Sequence, residues 1–91
     1  MFIKLIDKFM RLFGYERVNL IKIKPEFLKH QPGYTKMWVR RLMYRYDRTL
    51  YADIVLDKDG YLVDGYTSYL IAKENNLKYV KVKREVKADG I

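Results

Sequence analysis

The strongest constraint on the fold lies in residues 55–82, which read VLDKDGYLVDGYTSYLIAKENNLKYVKV. Two apolar runs flank residues 58–60 (KDG), a composition typical of a tight hairpin turn. A helical pattern opens at Gly65 and ends where Asn76 suits a left-handed backbone position. An alternating segment, Tyr79–Arg84, follows and reads as a half-buried strand. The stretch therefore predicts strand, turn, strand, helix and strand in succession.

The remaining residues predict two more helices and one more strand. Residues 2–13 form an amphipathic helix that ends at Gly14. Residues 17–24 read as a strand, and Pro25 either ends it or opens a short turn of helix through Phe27 and Leu28. From Tyr34 the pattern is helical again, with an apolar stripe on one side and arginines on the other. We predict that this stripe, the hairpin strands (52–57 and 61–64), the helix that opens at Gly65 and the last strand form the core: Trp38, Val39, Leu42, Ile54, Leu56, Leu62, Leu70, Val80 and Val82.

The amphipathic helix at the N-terminus allows two interpretations. Its broad apolar face lies opposite Lys4, Lys8 and Arg11, an arrangement that also occurs in helices on membrane surfaces. Since so many exposed apolar side chains are a solubility liability, we expect the helix to pack on its own domain or on a partner, including a second copy.

Composition excludes several classes of protein. The 91 residues suit one domain, and the chain has no cysteine and one histidine, His30, which argues against disulfides, thiol chemistry and a metal site. We expect His30 to be an exposed loop residue, with a role in a pocket as the alternative. No apolar run approaches the ~20 residues of a membrane span, and no secretion signal is evident, so the expected location is the cytoplasm.

Positive charge is concentrated in the first half of the chain. Residues 1–48 hold 12 Lys and Arg against four acids, whereas residues 49–91 hold seven of each. Such asymmetry indicates an anionic partner, and the predicted basic helix face favours DNA, bound without sequence preference. The alternative is an ordinary solvated helix face. The candidate nucleic-acid-binding residues are Arg40, Arg41, Tyr44, Arg45 and Arg48.

The segment DGYTS, residues 64–68, is the second candidate site. The start of a helix leaves backbone N–H groups without partners, and the N–H groups of Tyr66, Thr67 and Ser68 are therefore suited to hold a phosphate. The competing interpretation is that Asp64 caps the helix and occupies those same groups, while Gly65 only permits a sharp turn.

The order and spacing of these motifs resemble the ParB/sulfiredoxin superfamily, from roughly Val18 to Val86. The similarity runs through IKIKP, QPGYTK, the hairpin before DGY, a helix with alanine in its middle, and YVKV. The resemblance implies an α+β fold, a small mixed sheet with helices packed on it in the order α-β-α-β-β-α-β. The predicted organisation is a helix (1–14), a ParB-like domain (15–86) and a flexible tail (87–91).

The resemblance also implies a nucleotide site. In the superfamily a Gly-x-x-Arg motif cradles a phosphate; Gly65 and Asp64 match it, whereas Ser68 stands in place of the arginine. Gln31 and Pro32 resemble an upstream loop, and Lys36 follows where a basic residue is common. No cofactor is certain, with CTP or ATP as the candidates. The missing arginine predicts weak nucleotide binding that Ser68→Arg would tighten and Gly65→Val would abolish.

We therefore expect a small domain that binds an anionic ligand, DNA or a nucleotide phosphate, without established catalysis. One alternative is a nucleotide-dependent enzyme, such as a hydrolase, phosphotransferase or nuclease, that uses the DGYTS pocket. A third is an adaptor or regulatory domain that acts through protein contacts.

Overall fold

The computed structural model describes residues 2–85, and the predicted tail at residues 87–91 lies outside this range. A 3₁₀ turn at Val18–Leu20 separates the first strand from the second helix. The elements in chain order are α1 (Phe2–Leu12), β1 (Tyr15–Arg17), α2 (Pro25–Lys29), α3 (Tyr34–Asp47), β2 (Ile54–Leu56), β3 (Leu62–Asp64), α4 (Tyr66–Glu74) and β4 (Tyr79–Arg84).

The four strands form one mixed sheet in the order β1-β4-β2-β3. β2 and β3 are an antiparallel hairpin, and β4 lies between β1, to which it is antiparallel, and β2, to which it is parallel. Parallel pairing of β2 with β4 requires a crossover, which includes α4. The predicted α+β class with a mixed sheet is confirmed.

The core lies between the sheet and α4. Ile54, Leu56, Leu62, Val80 and Val82 are buried as predicted, and Leu70 is half-buried. Residues that the core prediction did not include complete it, among them Val18, Tyr66, Tyr69, Ile71 and Ala72.

The hairpin turn and the end of α4 have the backbone geometry that the sequence predicts. Gly60 has a φ of 87°, and Oδ1 of Asp57 accepts hydrogen bonds from the N–H groups of Asp59 and Tyr61, both at 2.9 Å. After α4, Asn76 has a φ of 55°, where a non-glycine residue is uncommon except for Asn. These short-range contacts fix the hairpin and the end of α4.

The predicted strand over residues 17–24 is wrong in position. The strand lies earlier, at Tyr15–Arg17, where Glu16 pairs with Val80 of β4. The chain then turns through the 3₁₀ segment, and Lys22 makes only an isolated bridge to Tyr61. Pairing with a strand more than 60 residues away decided this register, which the local pattern could not reveal.

The predicted phase of α3 is also wrong. Its buried residues are Met37, Arg40 and Tyr44, and Met37 and Tyr44 pack with Ile71 of α4. Trp38 is 51% exposed, and Val39 and Leu42, predicted with it to be buried, are likewise exposed. The helix thus turns an arginine inward and its tryptophan outward, so the rule that arginine faces solvent fails here.

α1 packs on the domain through its polar side. Arg17 donates to Asp7 at 2.9 Å, the Tyr79 hydroxyl donates to the same carboxylate at 2.7 Å, and Arg11 pairs with Glu16 at 3.2 Å. Apart from the half-buried Met10, the apolar side chains described on α1 and just after it are exposed. The own-domain part of the expectation is therefore wrong, and packing on a partner stays a prediction. No helix in the described range is long and apolar enough to cross a membrane.

Candidate phosphate site at the start of α4

A pocket of about 280 Å³ opens at the N-terminus of α4. Its walls come from the start of α4, the loop between α2 and α3, and the inward face of α3. We call this cavity the α4 pocket. Its lining residues are Phe27, His30, Pro32, Lys36, Arg40, Ala52, Asp64, Gly65, Tyr66, Thr67 and Ser68.

The first turn of α4 has no side-chain cap. Gly65 occupies the N-cap position with a φ of 85°, and the helix begins at Tyr66. Oδ1 of Asp64 accepts a hydrogen bond at 2.9 Å from the N–H of Gly65, one residue before the helix, so the predicted capping role of Asp64 is wrong. The positive end of the helix therefore keeps N–H groups free of a competing carboxylate.

Gly65 is required by the backbone of the neighbouring strand. A Cβ at this position would collide with the carbonyl oxygen of Asp53 and lie 2.8 Å from the Cα of Ile54. Its positive φ adds a cost that any other L-residue would bear. The glycine thus lets the start of α4 approach the start of β2 closely, and Gly65→Val would disturb the fold as well as a ligand.

Arg40 of α3 reaches the base of the α4 pocket. It is 8% exposed, and its Nη2 donates at 2.5 Å both to the carbonyl of Leu50 and to Oγ of Ser68. Its Nε is buried with no hydrogen-bond partner, and the ring of Tyr51 lies 5.2 Å from the guanidinium. Among residues 2–85, no carboxylate forms an ion pair with it.

The guanidinium of Arg40 stays charged in this setting. Burial lowers the pKa of Arg40 below its ordinary value, while the nearby Tyr51 acts to raise it. An arginine pKa lies so far above neutrality that the side chain is protonated in proteins. The α4 pocket therefore contains a buried positive charge, and no carboxylate among residues 2–85 forms an ion pair with it.

Ser68 holds Arg40 in place by a hydrogen bond. The serine is fully buried, and its Oγ lies 2.9 Å from the carbonyl oxygen of Leu50 and 2.7 Å from that of Ala52. A hydroxyl has one hydrogen to donate, so it serves one of these carbonyls while it accepts from Arg40. An arginine at position 68 would displace Arg40 from its present place, a conflict that the sequence did not reveal.

The loop residues named by the sequence reach the α4 pocket in different ways. Lys36 lines it with an exposed side chain, and His30, which is exposed as expected, also lines it, as the alternative prediction had it. Gln31 is exposed and does not line the pocket, but its Nε2 donates to the Tyr66 hydroxyl at 3.0 Å and to the carbonyl of Leu28 at 3.2 Å. Gln31 therefore orients Tyr66.

The five residues predicted to bind nucleic acid do not form one surface. Arg40 belongs to the α4 pocket, and Tyr44 is buried. Arg41 forms a bidentate pair with Glu74, at 2.5 Å and 2.9 Å, whereas Arg45 and Arg48 remain exposed. Sequence analysis missed three exposed aromatic residues of α3, Tyr34, Trp38 and Tyr46.

Metal ligands do not gather in the part of the chain that the structure describes. No group of three or more histidine, cysteine, aspartate or glutamate residues lies close enough there to hold an ion. The α4 pocket is instead lined by groups that can bind an anion: backbone N–H groups, a buried guanidinium and an exposed ammonium.

Comparison with known proteins identifies the fold. No known protein family and no curated protein matches the sequence. Two structures of a pNOB8-like ParB N-domain each superpose on 77% of this chain with a TM-score of 0.64, at 23% and 24% sequence identity. The chain spans about a quarter of the length of those chains, 27% and 25%. The protein therefore has the fold of a ParB N-domain.

Proposed function

We propose that the protein binds a phosphate group in the α4 pocket and that its ligand is a nucleotide. The observation that carries the proposal is the buried guanidinium of Arg40, which has an unpartnered Nε and no described carboxylate beside it. A buried charge without a partner costs several kcal/mol, and an anion in the pocket would remove that cost.

Three further features support an anion at this position. The uncapped start of α4 presents its positive end to the pocket, and Lys36 adds a second cation at the rim. The single acidic residue of the lining, Asp64, is exposed and already accepts a hydrogen bond from Gly65. The balance of charge in the lining is therefore positive.

The class of ligand follows from size and resemblance. A volume of about 280 Å³ is near the lower limit of about 300 Å³ for small-molecule sites, so it suits a phosphate group with the rest of the ligand extending outward. The superfamily resemblance favours a nucleotide, with CTP and ATP as candidates. Because Arg40 supplies a charged donor, the weak binding expected from Ser68 no longer follows.

An NMR titration with inorganic phosphate, CTP and ATP in turn tests this proposal. We expect shifts of the backbone amides of residues 65–68 and of the Arg40 Nε–H signal. Arg40→Met should abolish the amide shifts, whereas Arg45→Met, on the exposed side of the same helix, should preserve them. Shifts that persist in Arg40→Met, or no shifts in the wild type, would contradict the proposal.

A second candidate function is DNA binding by the exposed face of α3. Trp38, Tyr34 and Arg45 are exposed on this helix, and base stacking on aromatic rings combined with arginine contacts to phosphate is the usual chemistry of single-strand binding. Single-stranded DNA should quench the fluorescence of the one tryptophan. Arg45→Gln should lower the slope of log K against log salt by roughly 0.7.

Two other hypotheses predict different outcomes in the same experiments. A nucleotide-dependent enzyme would turn over CTP or ATP during the titration, which phosphate release would detect. An adaptor that acts only through protein contacts would bind none of the anions and no DNA.

A further inference from the structure

The apolar face of α1 is exposed on the side away from the domain. Five large apolar side chains on α1 and the residue after it are at least 49% exposed, a concentration that single-domain proteins rarely leave uncovered. Phe9 and Phe13 lie in contact within this face, with ring centroids 5.2 Å apart. We call these residues the α1 apolar face: Leu5 (65%), Ile6 (49%), Phe9 (58%), Leu12 (78%) and Phe13 (60%).

The orientation of α1 is fixed by ionic contacts on its opposite side. Asp7 is 6% exposed and bonds to both Arg17 and Tyr79, and Glu16, also 6% exposed, pairs with both Arg11 and Arg84. Rotating α1 to bury its apolar face would pull these charges apart. The helix is therefore held with its apolar face outward.

The exposed charges of α1 that make no ion pair with a described residue are positive. The only acid in α1 is Asp7, which is buried in its ion pair, whereas Lys4 and Lys8 are exposed and make no ion pair with a described carboxylate. Residues 1–48 as a whole carry 12 basic against four acidic residues. The exposed lysines of α1 are thus complementary to a negatively charged plane.

The same charges disfavour a second copy as the occupant. In a two-fold pairing of α1 with itself, each helix would bring Lys4 and Lys8 toward an identical helix that has no exposed acid to meet them. Like charges brought together at a contact cost free energy, so the pairing lacks electrostatic complementarity.

We propose that α1 lies flat on an anionic lipid bilayer, with its apolar face in the headgroup region and Lys4 and Lys8 against the lipid phosphates. A large apolar face, basic flanks and low net hydrophobicity define helices that bind membrane surfaces without spanning them. Exposed phenylalanines suit the interface because their rings insert between the headgroups. The domain, held on the polar side of α1, would then face the aqueous phase.

Vesicle co-sedimentation tests this inference. We expect the full chain to sediment with vesicles of equimolar phosphatidylglycerol and phosphatidylcholine and to remain unbound with phosphatidylcholine alone. Phe9→Asp should weaken binding more than tenfold, whereas Tyr46→Asp, an equal change of charge at an exposed position of α3, should leave it within about threefold. Lys4→Gln and Lys8→Gln should each weaken binding about fivefold.

Two results would overturn the inference. One is equal binding by Phe9→Asp and Tyr46→Asp, with both variants shown to be folded by circular dichroism. The other is a wild-type dimer in analytical ultracentrifugation that Phe9→Asp converts to a monomer while the wild type ignores anionic vesicles. Either outcome is independent of phosphate binding in the α4 pocket, since the variants lie outside it.

Discussion

Two clusters of buried charge in this small domain are built in opposite ways. Under α1, Asp7 is held by Arg17 and Tyr79, and every carboxylate in the cluster has its cations beside it. At the start of α4, Arg40 is equally buried but bonds only to a carbonyl and a hydroxyl, with its Nε unpartnered. The first cluster is complete within the protein, whereas we propose that an anion completes the second. If that proposal holds, the comparison separates a structural ion-pair network from a binding site.

The backbone that frames the α4 pocket gives the largest expected effect. Gly65→Ala places a Cβ against the backbone of Asp53 and Ile54 at a positive φ, so it should lower the free energy of unfolding by more than about 2 kcal/mol. Gly33→Ala is the matched control, because nothing lies within 4 Å of its added Cβ. Similar urea midpoints for the two variants would show that Gly65 is not constrained.

The ion-pair cluster under α1 should make the stability of the fold depend on pH in acid. The hydrogen bond from Tyr79 holds the pKa of Asp7 below the ordinary value of 3.8, because it outweighs the opposite effect of burial. The hydrogen bond and the charge of Arg17 lower this pKa further. A carboxylate with a depressed pKa stabilises the fold above its unfolded pKa and loses that contribution as pH falls through the folded pKa. Asp7→Asn should therefore be less stable than the wild type at neutral pH.

The difference in free energy of unfolding between the wild type and Asp7→Asn should disappear as the pH falls below 3.8. Urea unfolding at a series of pH values measures this difference. Asp64→Asn is a suitable control, since Asp64 is exposed and forms no ion pair among the described residues. A gap for Asp7→Asn that stays constant with pH would show that its ion pair contributes nothing.

Removing the charge of Arg40 should change the free energy of unfolding differently from removing a charge under α1. Without ligand, Arg40→Met should change the free energy of unfolding by less than about 1 kcal/mol, because losing two hydrogen bonds is offset by removing an uncompensated buried charge. Arg17→Met, which strips Asp7 of its cation, should destabilise more. Equal losses in urea unfolding would mean that Arg40 is a structural residue like Arg17.

The corrected phase of α3 gives the smallest expected effect. With Trp38 buried, Trp38→Ala would cost about 3–5 kcal/mol, but a side chain that is 51% exposed should cost less than about 1 kcal/mol. Met37→Ala, at a buried position of the same helix, should cost more, about 2–5 kcal/mol. A larger loss for Trp38→Ala than for Met37→Ala would reverse the assigned faces of α3.

The sequence predicted the elements whose causes are local. The hairpin turn at residues 58–60, the left-handed Asn76 and the alternation of Val80 and Val82 depend on neighbouring residues, and the structure has them where the pattern predicts. The same holds for Gly14, which ends α1 with a φ of 83°.

The failures have tertiary causes. β1 lies at Tyr15–Arg17 because of pairing with β4, which no short window contains. The inward turn of Arg40 depends on carbonyls of the loop after α3 and on Ser68, a residue 28 positions away. The sequence therefore placed its candidate phosphate site at Gly65–Ser68 but did not assign the buried Arg40 to it, since only the folded chain brings the two together.

Thermal unfolding of the wild type and Arg40→Met, with and without phosphate ligand, tests the central claim most directly. Each protein is compared in CTP, in phosphate and in chloride of equal ionic strength. At about 100 times Kd, the ligand should stabilise the wild type by about 2.7 kcal/mol. Arg40→Met should gain no more than it gains from the matched salt. Equal stabilisation of both proteins, or none of the wild type, would contradict the assignment of the α4 pocket as a phosphate site completed by Arg40.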